Sequence, residues 1–253
     1  MDFTKPCHLS TLDERLAYTL AIQERDDNAD SNQSSSTTLG VANHTKFWKN
    51  GRTLRIAISL WNEEMFQTVV AAINQWAPHV NLNFEFIELV DNDQLYEGDI
   101  RILLSPHMNR NGSSTLGTDA LGVLPHHPTM QLGIDYKNPS FTYITLHEFG
   151  HALGLDHEHQ HPDAMLDWNL PAIYRKYENF GWTKEVIYLN ILKKLNRDQL
   201  RSTPYDQKSI MHYSFSADVM WDKIAIPANT EISEKDIEFI SSIYPQLKIL
   251  KFG

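Results

Sequence analysis

Cysteine is nearly missing from this chain. Cys7 is the single one in 253 residues, so no disulfide can close within it. That usage suits a cytosolic protein or one exported from a bacterium better than an animal secreted enzyme. Long apolar runs are missing as well. No stretch reaches the roughly 18 residues that a bilayer-crossing helix needs, so membrane insertion is not expected. Positive charge is scarce: 22 Lys and Arg stand against 32 Asp and Glu, a formal net charge of -10. A chain of that sign, with no basic block, is a poor partner for nucleic acid or an anionic membrane. The N-terminal MDFTKPCHLSTLDERLAYTLAI does not read as a signal peptide, because Asp13, Glu14 and Arg15 interrupt any apolar centre. A bacterial protein that is secreted, or translocated as far as a host cell, by a route other than that of a visible signal is the expectation. There are no internal repeats.

What is present is a chain that can build a core. Apolar residues make up 42% of it, including 6 Trp, 11 Phe and 10 Tyr, which suits one sizeable soluble domain working as a monomer. Leu9, Leu12, Leu16 and Leu20 recur at helical spacing, and Thr11 with Glu14 forms a capping-box pattern, giving a helix over 11–25. DDNADSNQSSSTT, 26–38, is polar and aperiodic and reads as a linker. Residues 1–38 are therefore an expected appendage to a domain over 39–253.

Alternation predicts strands over 53–61, 81–89 and 99–105, with a further one at 130–135. Asn50-Gly51 marks a turn before the first of these. Helical spacing predicts a helix over 63–78 stopped by Pro78, and Ser140 is a candidate cap for one running through His151. Shorter helices are expected at 168–179, 183–194 and 196–201. Ser233 and Asp236 form a second capping box, opening a helix that ends near Tyr244-Pro245. The order gives a mixed α+β domain in which helices cover one sheet.

The chemistry concentrates in HEFGHALGLDHEHQHP, 147–162, which holds five histidines. His147 and His151 are four apart, about 40° around a helix axis, so both imidazoles face one point. That is the spacing of a zinc-binding HExxH, and Glu148 between them can reach a metal-bound water without being a ligand. Gly154 can take the left-handed conformation that ends the helix, letting the chain return with His157 as third ligand. Three protein ligands leave one coordination position open, as catalytic zinc requires. A bare HExxH recurs by chance, whereas the extended HExxHxxGxxH fixes five residues. His159 and His161 fall outside the ligand register and are expected either at the rim of the cleft or packed behind the ligands. His126 and His127 lie in a proline-flanked loop and receive no role.

HEFGHALGLDH is the zinc motif of metzincins, which carry a downstream Met-turn. YDQKSIMHY, 205–213, is its partner here. With Glu158 directly after the third histidine and SIMHY in the turn, the chain resembles the astacin family in particular. FWKNGRTLRIAIS, GTDALG with PTMQLG, and ISEKDIEFISSIYP are also similar to astacin segments, so the likeness runs over about 46–246. The resemblance implies a zinc endopeptidase of metzincin-type two-subdomain fold. A twisted sheet and two long helices would lie above the cleft, about 46–157. An irregular part with the C-terminal helix would lie below it, about 158–247. It further implies Met211 as the floor beneath zinc, and Tyr213 as a ligand of the resting enzyme that swings away when substrate binds. Read as a lone residue, Tyr213 would be a core aromatic after a turn. The strand holding Arg101, Ile102, Leu103 and Leu104 would be the rim where a peptide adds as an antiparallel strand.

The chain departs from the family pattern in lacking the extracellular disulfides and a recognisable aspartate-bearing inhibitory segment. In mature astacins the residue matching Glu158 contacts the N-terminus made by processing; an uncut chain must give Glu158 another partner. Astacins often favour acidic residues just after the cut, but SFSADVMWD, 214–222, contains no cation to receive them.

The expected reaction uses one zinc ion, Glu148 as general base then acid, and the Tyr213 hydroxyl on the oxyanion. The Cys7 thiolate is a candidate inhibitory zinc ligand, although KPCHL lacks a recognised switch sequence. Two alternatives stand beside the protease: a degraded module that keeps zinc for structure, and a zinc hydrolase of a non-peptide amide. A structural site needs no general base, which weighs against the first.

Overall fold

The computed structural model describes residues 12–29, 44–59, 62–89, 98–197 and 203–246. Cys7, Thr11, most of the expected linker and most of the expected 196–201 helix lie outside these residues. Helix α1 spans Glu14–Glu24. Its cap is Asp13, whose carboxylate accepts from the backbone N–H groups of Arg15 and Leu16, in place of the expected Thr11. The chain after it does not become a plain linker at 26. Asp26–Asn28 form a 3-10 turn, and the buried Asn28 amide donates to the carbonyls of Ala21 and Phe47 while its oxygen accepts from Phe47 N and the Thr45 hydroxyl. Arg25 donates to the carbonyls of Trp48 and Ile243, and Glu24, Arg52 and Asp99 form a connected ion-pair chain.

The sheet is β1 (Thr53–Ser59), β2 (Asn83–Leu89), β3 (Ile100–Leu104), β4 (Gly112–Ser114) and β5 (Met130–Leu132), in the order β2-β1-β3-β5-β4. All pairings are parallel except β4 on β5. Parallel strands need crossovers, and α2 (Glu63–Ile73), capped by Asn62, supplies the one between β1 and β2. α2 stops five residues short of Pro78, because the chain tightens into a turn and then a 3-10 segment, Ala77–His79, that holds the proline.

Two strands differ from the expectation. β5 is three residues long rather than six. And β3 lies between β1 and β5, so Arg101, Ile102, Leu103 and Leu104 are interior to the sheet and form no rim. Arg101 shows why: its buried guanidinium donates to the carbonyls of Gly98, Val123 and His127, and so staples the loop before β5 to β3. The free edge on that side is β4.

Helix α3, Ser140–Ala152, crosses the sheet and is buried along nearly its whole length. Pro139 occupies its cap position; Ser140 is the first helical residue, held by the Asn138 side chain. α3 is followed by α4 (Leu170–Glu178), the short α5 (Lys184–Ile187), which unwinds into a π turn over Tyr188–Leu192, and α6 (Glu234–Ile243). The Ser233–Asp236 capping box opens α6 as its pattern indicates.

Two apolar clusters fill the molecule. The larger joins β1, β3, α2 and α3 with Ile210 and Met211, and it takes in Ile240, Ile243 and Tyr244 from α6 and the residue after it. The C-terminal helix thus packs into the core of the sheet layer. The smaller joins Ile173 and Tyr177 of α4, Ile187 and Ile191, and the chain from Tyr213 to Ile226. Among the described residues no helix is long and apolar enough to cross a membrane.

Candidate metal centre and active site

α3 delivers His147 and His151 on one face, and the chain turns at Gly154, whose φ of 99° only glycine adopts freely. Gly154 N–H donates to His151 O and Leu155 N–H to Gly150 O, closing the helix and aiming the next residues back at it. His157 returns on that path. Its Nε2 lies 3.0 Å from His151 Nε2, which lies 3.1 Å from His147 Nε2.

These short nitrogen–nitrogen distances are not hydrogen bonds. His147 Nδ1 is 2.8 Å from Ile210 O, and His151 Nδ1 is 2.7 Å from Leu155 O. A carbonyl only accepts, so each Nδ1 carries the proton and each Nε2 points a lone pair inward. Burial also holds the three rings neutral. It pushes His147 down to about 4 and the other two well below the ordinary imidazole range. Buried neutral imidazoles with converging lone pairs need a cation between them, and the donor set, three nitrogens with carbonyl-fixed tautomers at two of them, fits zinc.

Glu148 is buried beside this cluster. Edge strand β4 forms its wall: a side-chain carbon placed on Gly112 would stand 2.4 Å from Glu148 Cγ and 2.7 Å from its Oε1. The glycine therefore makes room for the carboxylate.

The family model of the astacin peptidases matches residues 40–237. This chain belongs to the astacin family. It is a zinc metallopeptidase, and as such it acts on peptide or protein substrates. Two solved structures of myroilysin are similar to it. One aligns at TM-score 0.72 and 28% identity, covering 80% of this chain and 97% of that one. The other aligns at 0.60 and 23%, covering 95% and 100%. High choriolytic enzyme 1, a hatching enzyme zinc-protease from Oryzias latipes (medaka fish), shares the fold at 0.52 and 20%, covering 86% and 98%. No match was found among curated proteins.

In this astacin the segment Ser209–Tyr213 packs against α3, with Ile210 O on His147 Nδ1. Met211 is buried against α3: a side-chain carbon on Gly150 would meet its Sδ at 2.4 Å. The segment is anchored by Asp236, whose carboxylate accepts from Ser209 Oγ (2.6 Å), Ile210 N (2.8 Å) and Ser233 N (2.9 Å). One residue thus caps α6 and fixes the turn whose Ile210 carbonyl holds His147. The capping-box pattern reveals the first role; nothing in the sequence signals the second.

The Tyr213 ring stands 4.3 Å from that of His157 and 5.6 Å from that of His147, centroid to centroid. Of the two places expected for His159 and His161, the rim is not the one they take, and His159 packs behind the ligand His157. Both are buried, His159 packed on Tyr213 with its Nε2 3.0 Å from Asn190 O, and His161 beside Tyr205 with its Nδ1 accepting from Asp163 N. A 3-10 turn over Glu158–Gln160 swings both inward, and the π turn receives His159. His126 and His127 are exposed.

Glu158 accepts from Asp206 N at 2.6 Å and faces a cavity of about 290 Å³ behind His157 that Asp206, Met211 and Asp236 also line. Burial, with Asp236 and Asp206 nearby, pushes its carboxyl up to about 8. The backbone of Asp206 is therefore the partner Glu158 finds within this chain.

Proposed function

We propose that this astacin is an endopeptidase in which Glu148 moves the protons and Tyr213 steadies the oxyanion. Zinc, when bound to the three histidines, supplies Lewis acidity that acidifies a water and polarises the scissile carbonyl. Glu148 takes the proton from that water and passes it to the leaving amine. Its place supports this role: it is buried beside the three histidines and stands outside the ligand cluster. The Tyr213 hydroxyl would donate a hydrogen bond to the developing oxyanion, and before substrate arrives its oxygen would join the three histidines in holding zinc.

The substrate adds to β4, Gly112–Ser114, as an antiparallel strand. β4 is the edge strand on the side of the metal centre and the strand whose backbone abuts Glu148. The observation that carries the whole reading is the convergence of three lone pairs, two of them fixed by carbonyls, beside a buried carboxylate that stands outside the ligand cluster. A zinc assay together with digestion of denatured casein tests it. Cleavage should occur in the metal-loaded protein and stop with a chelator; a loaded protein that leaves casein intact would sink the proposal.

A further inference from the structure

We propose that this enzyme selects its cleavage sites by a bulky, uncharged apolar or aromatic residue flanking the scissile bond, received in a cleft beside the metal centre. The inference rests on the endopeptidase reading above. The cleft has a volume of about 560 Å³ and lies between α3 and the chain that follows Tyr213. Tyr143 lines it from α3, one helical turn before His147, and Ser214 lines it directly after Tyr213. Two of its lining residues are thus immediate neighbours, along the helix or the chain, of His147 and Tyr213. Its wall is two short segments paired back to back, with Phe215 N–H donating to Ile226 O and Ile226 N–H to Phe215 O.

No residue lining the cleft is charged. Phe215, Ile226, Pro227 and three alanines provide the apolar surface, and neutral hydroxyls provide the rest. The volume exceeds that of any single side chain, so bulk is accepted, and the gain from burial grows with apolar area. Two cations lie nearby, Lys176 and Lys223, and both act on Asp218. Lys176 of α4 donates to Ser216 Oγ at 2.5 Å and lies 3.8 Å from Asp218 Oδ1, while the Ser216 hydroxyl donates to the same carboxylate. An acidic side chain in the cleft would lose water and would have to compete with Asp218 for Lys176 and Lys223. A basic one would find the Asp218 carboxylate turned toward Lys176 and Ser216.

Digestion of a peptide library by the zinc-loaded full chain, read by mass spectrometry, tests this. At one of the two positions flanking the cut, aromatic and large aliphatic residues should be enriched at least tenfold over Asp, Glu, Lys and Arg. Enrichment of acidic or basic residues there, or no selectivity at either position, would overturn the inference while leaving the endopeptidase reading intact. Cleavage of no peptide at all would overturn both. Ala225→Arg, with Thr230→Arg as an independent second variant, should shift the same position toward Asp and Glu by tenfold or more. If both variants fold, hold zinc and keep the original preference, the cleft is not what selects the substrate.

Discussion

The imidazole of His159 lies almost flat on the phenol of Tyr213, their centroids 4.5 Å apart and their planes 19° from parallel. His159 is itself pinned, its Nε2 3.0 Å from Asn190 O. The stack thus carries the position of the π turn, Tyr188–Leu192, to the ring beside His157.

If Tyr213 acts on the oxyanion, losing the stack should loosen the phenol and lower turnover more than substrate binding. A ring pair of this kind contributes about 0.5–1.5 kcal/mol, so His159→Ala should cost up to about tenfold in kcat with KM little changed. His159→Phe, which keeps the flat partner, should recover most of the loss. In a Tyr213→Phe background, His159→Ala should cost much less than it does alone, since the hydroxyl it positions is already gone. Steady-state kinetics on these variants reads this. Equal losses in both backgrounds would mean that His159 only supports the fold.

Glu148→Gln keeps the shape of the side chain and removes its basicity. Turnover should fall by about two to four orders of magnitude, the usual worth of a general acid–base residue. Zinc content should stay at wild-type level, because His147 and His151 take their orientation from Ile210 O and Leu155 O rather than from Glu148. Cleavage at the wild-type rate would remove Glu148 from the mechanism.

The contrast between what the sequence reveals and what it hides follows sequence separation. His147, His151 and Glu148 sit on one helix, where four-residue spacing fixes direction, and Gly154 reports its own left-handed turn. These are legible, as are the capping box of α6 and the α+β class. Hidden features are contacts between distant segments. Alternation does not encode strand order, so the interior β3 reads as well for an edge, and the three-residue β4 offers no pattern at all. His159 and Gln160 look like solvent-facing residues in a polar run until the π turn, some thirty residues later, closes over them. Helix caps follow a more local rule. Asp13 and Asn62 each take the position because a side-chain oxygen there reaches free backbone N–H groups.

Asp236 joins α6 to the Ser209–Tyr213 segment, and its removal should reach the metal. Asp236→Ala would leave Ser209 Oγ, Ile210 N and Ser233 N without their buried acceptor. Stranding buried partners of a carboxylate costs about 3–5 kcal/mol in all. The stability loss should appear in thermal or denaturant unfolding. Zinc affinity should also fall, because Ile210 O is the carbonyl that fixes the His147 tautomer. Such supports commonly alter metal affinity by about 10–100-fold. Ser233→Ala serves as the control: it weakens the α6 cap and frees one Asp206 oxygen, but it leaves Ser209 Oγ and Ile210 N their Asp236 acceptor, so it should lower stability while leaving zinc affinity nearly unchanged. Loss of stability with unchanged zinc affinity in Asp236→Ala would confine this residue to capping.

Gly112→Ala probes the wall behind the general base. The added methyl would stand 2.4 Å from Glu148 Cγ, too close for either atom to stay where it is. Glu148 is buried, and α3 beneath it is packed along nearly its whole length, so the carboxylate is the part that must move. Displacements of about 1 Å at a catalytic group can cost on the order of a hundredfold in rate. The strand itself has little to lose, since Gly112 pairs through its backbone with Leu132 and alanine makes the same hydrogen bonds. Activity should therefore fall by about one to two orders of magnitude, while zinc content and unfolding temperature stay near those of the wild type. A variant that loses zinc or unfolds early would show that the methyl is absorbed by moving β4 or α3, and that Gly112 is there to let the strand and the helix approach rather than to leave room for Glu148.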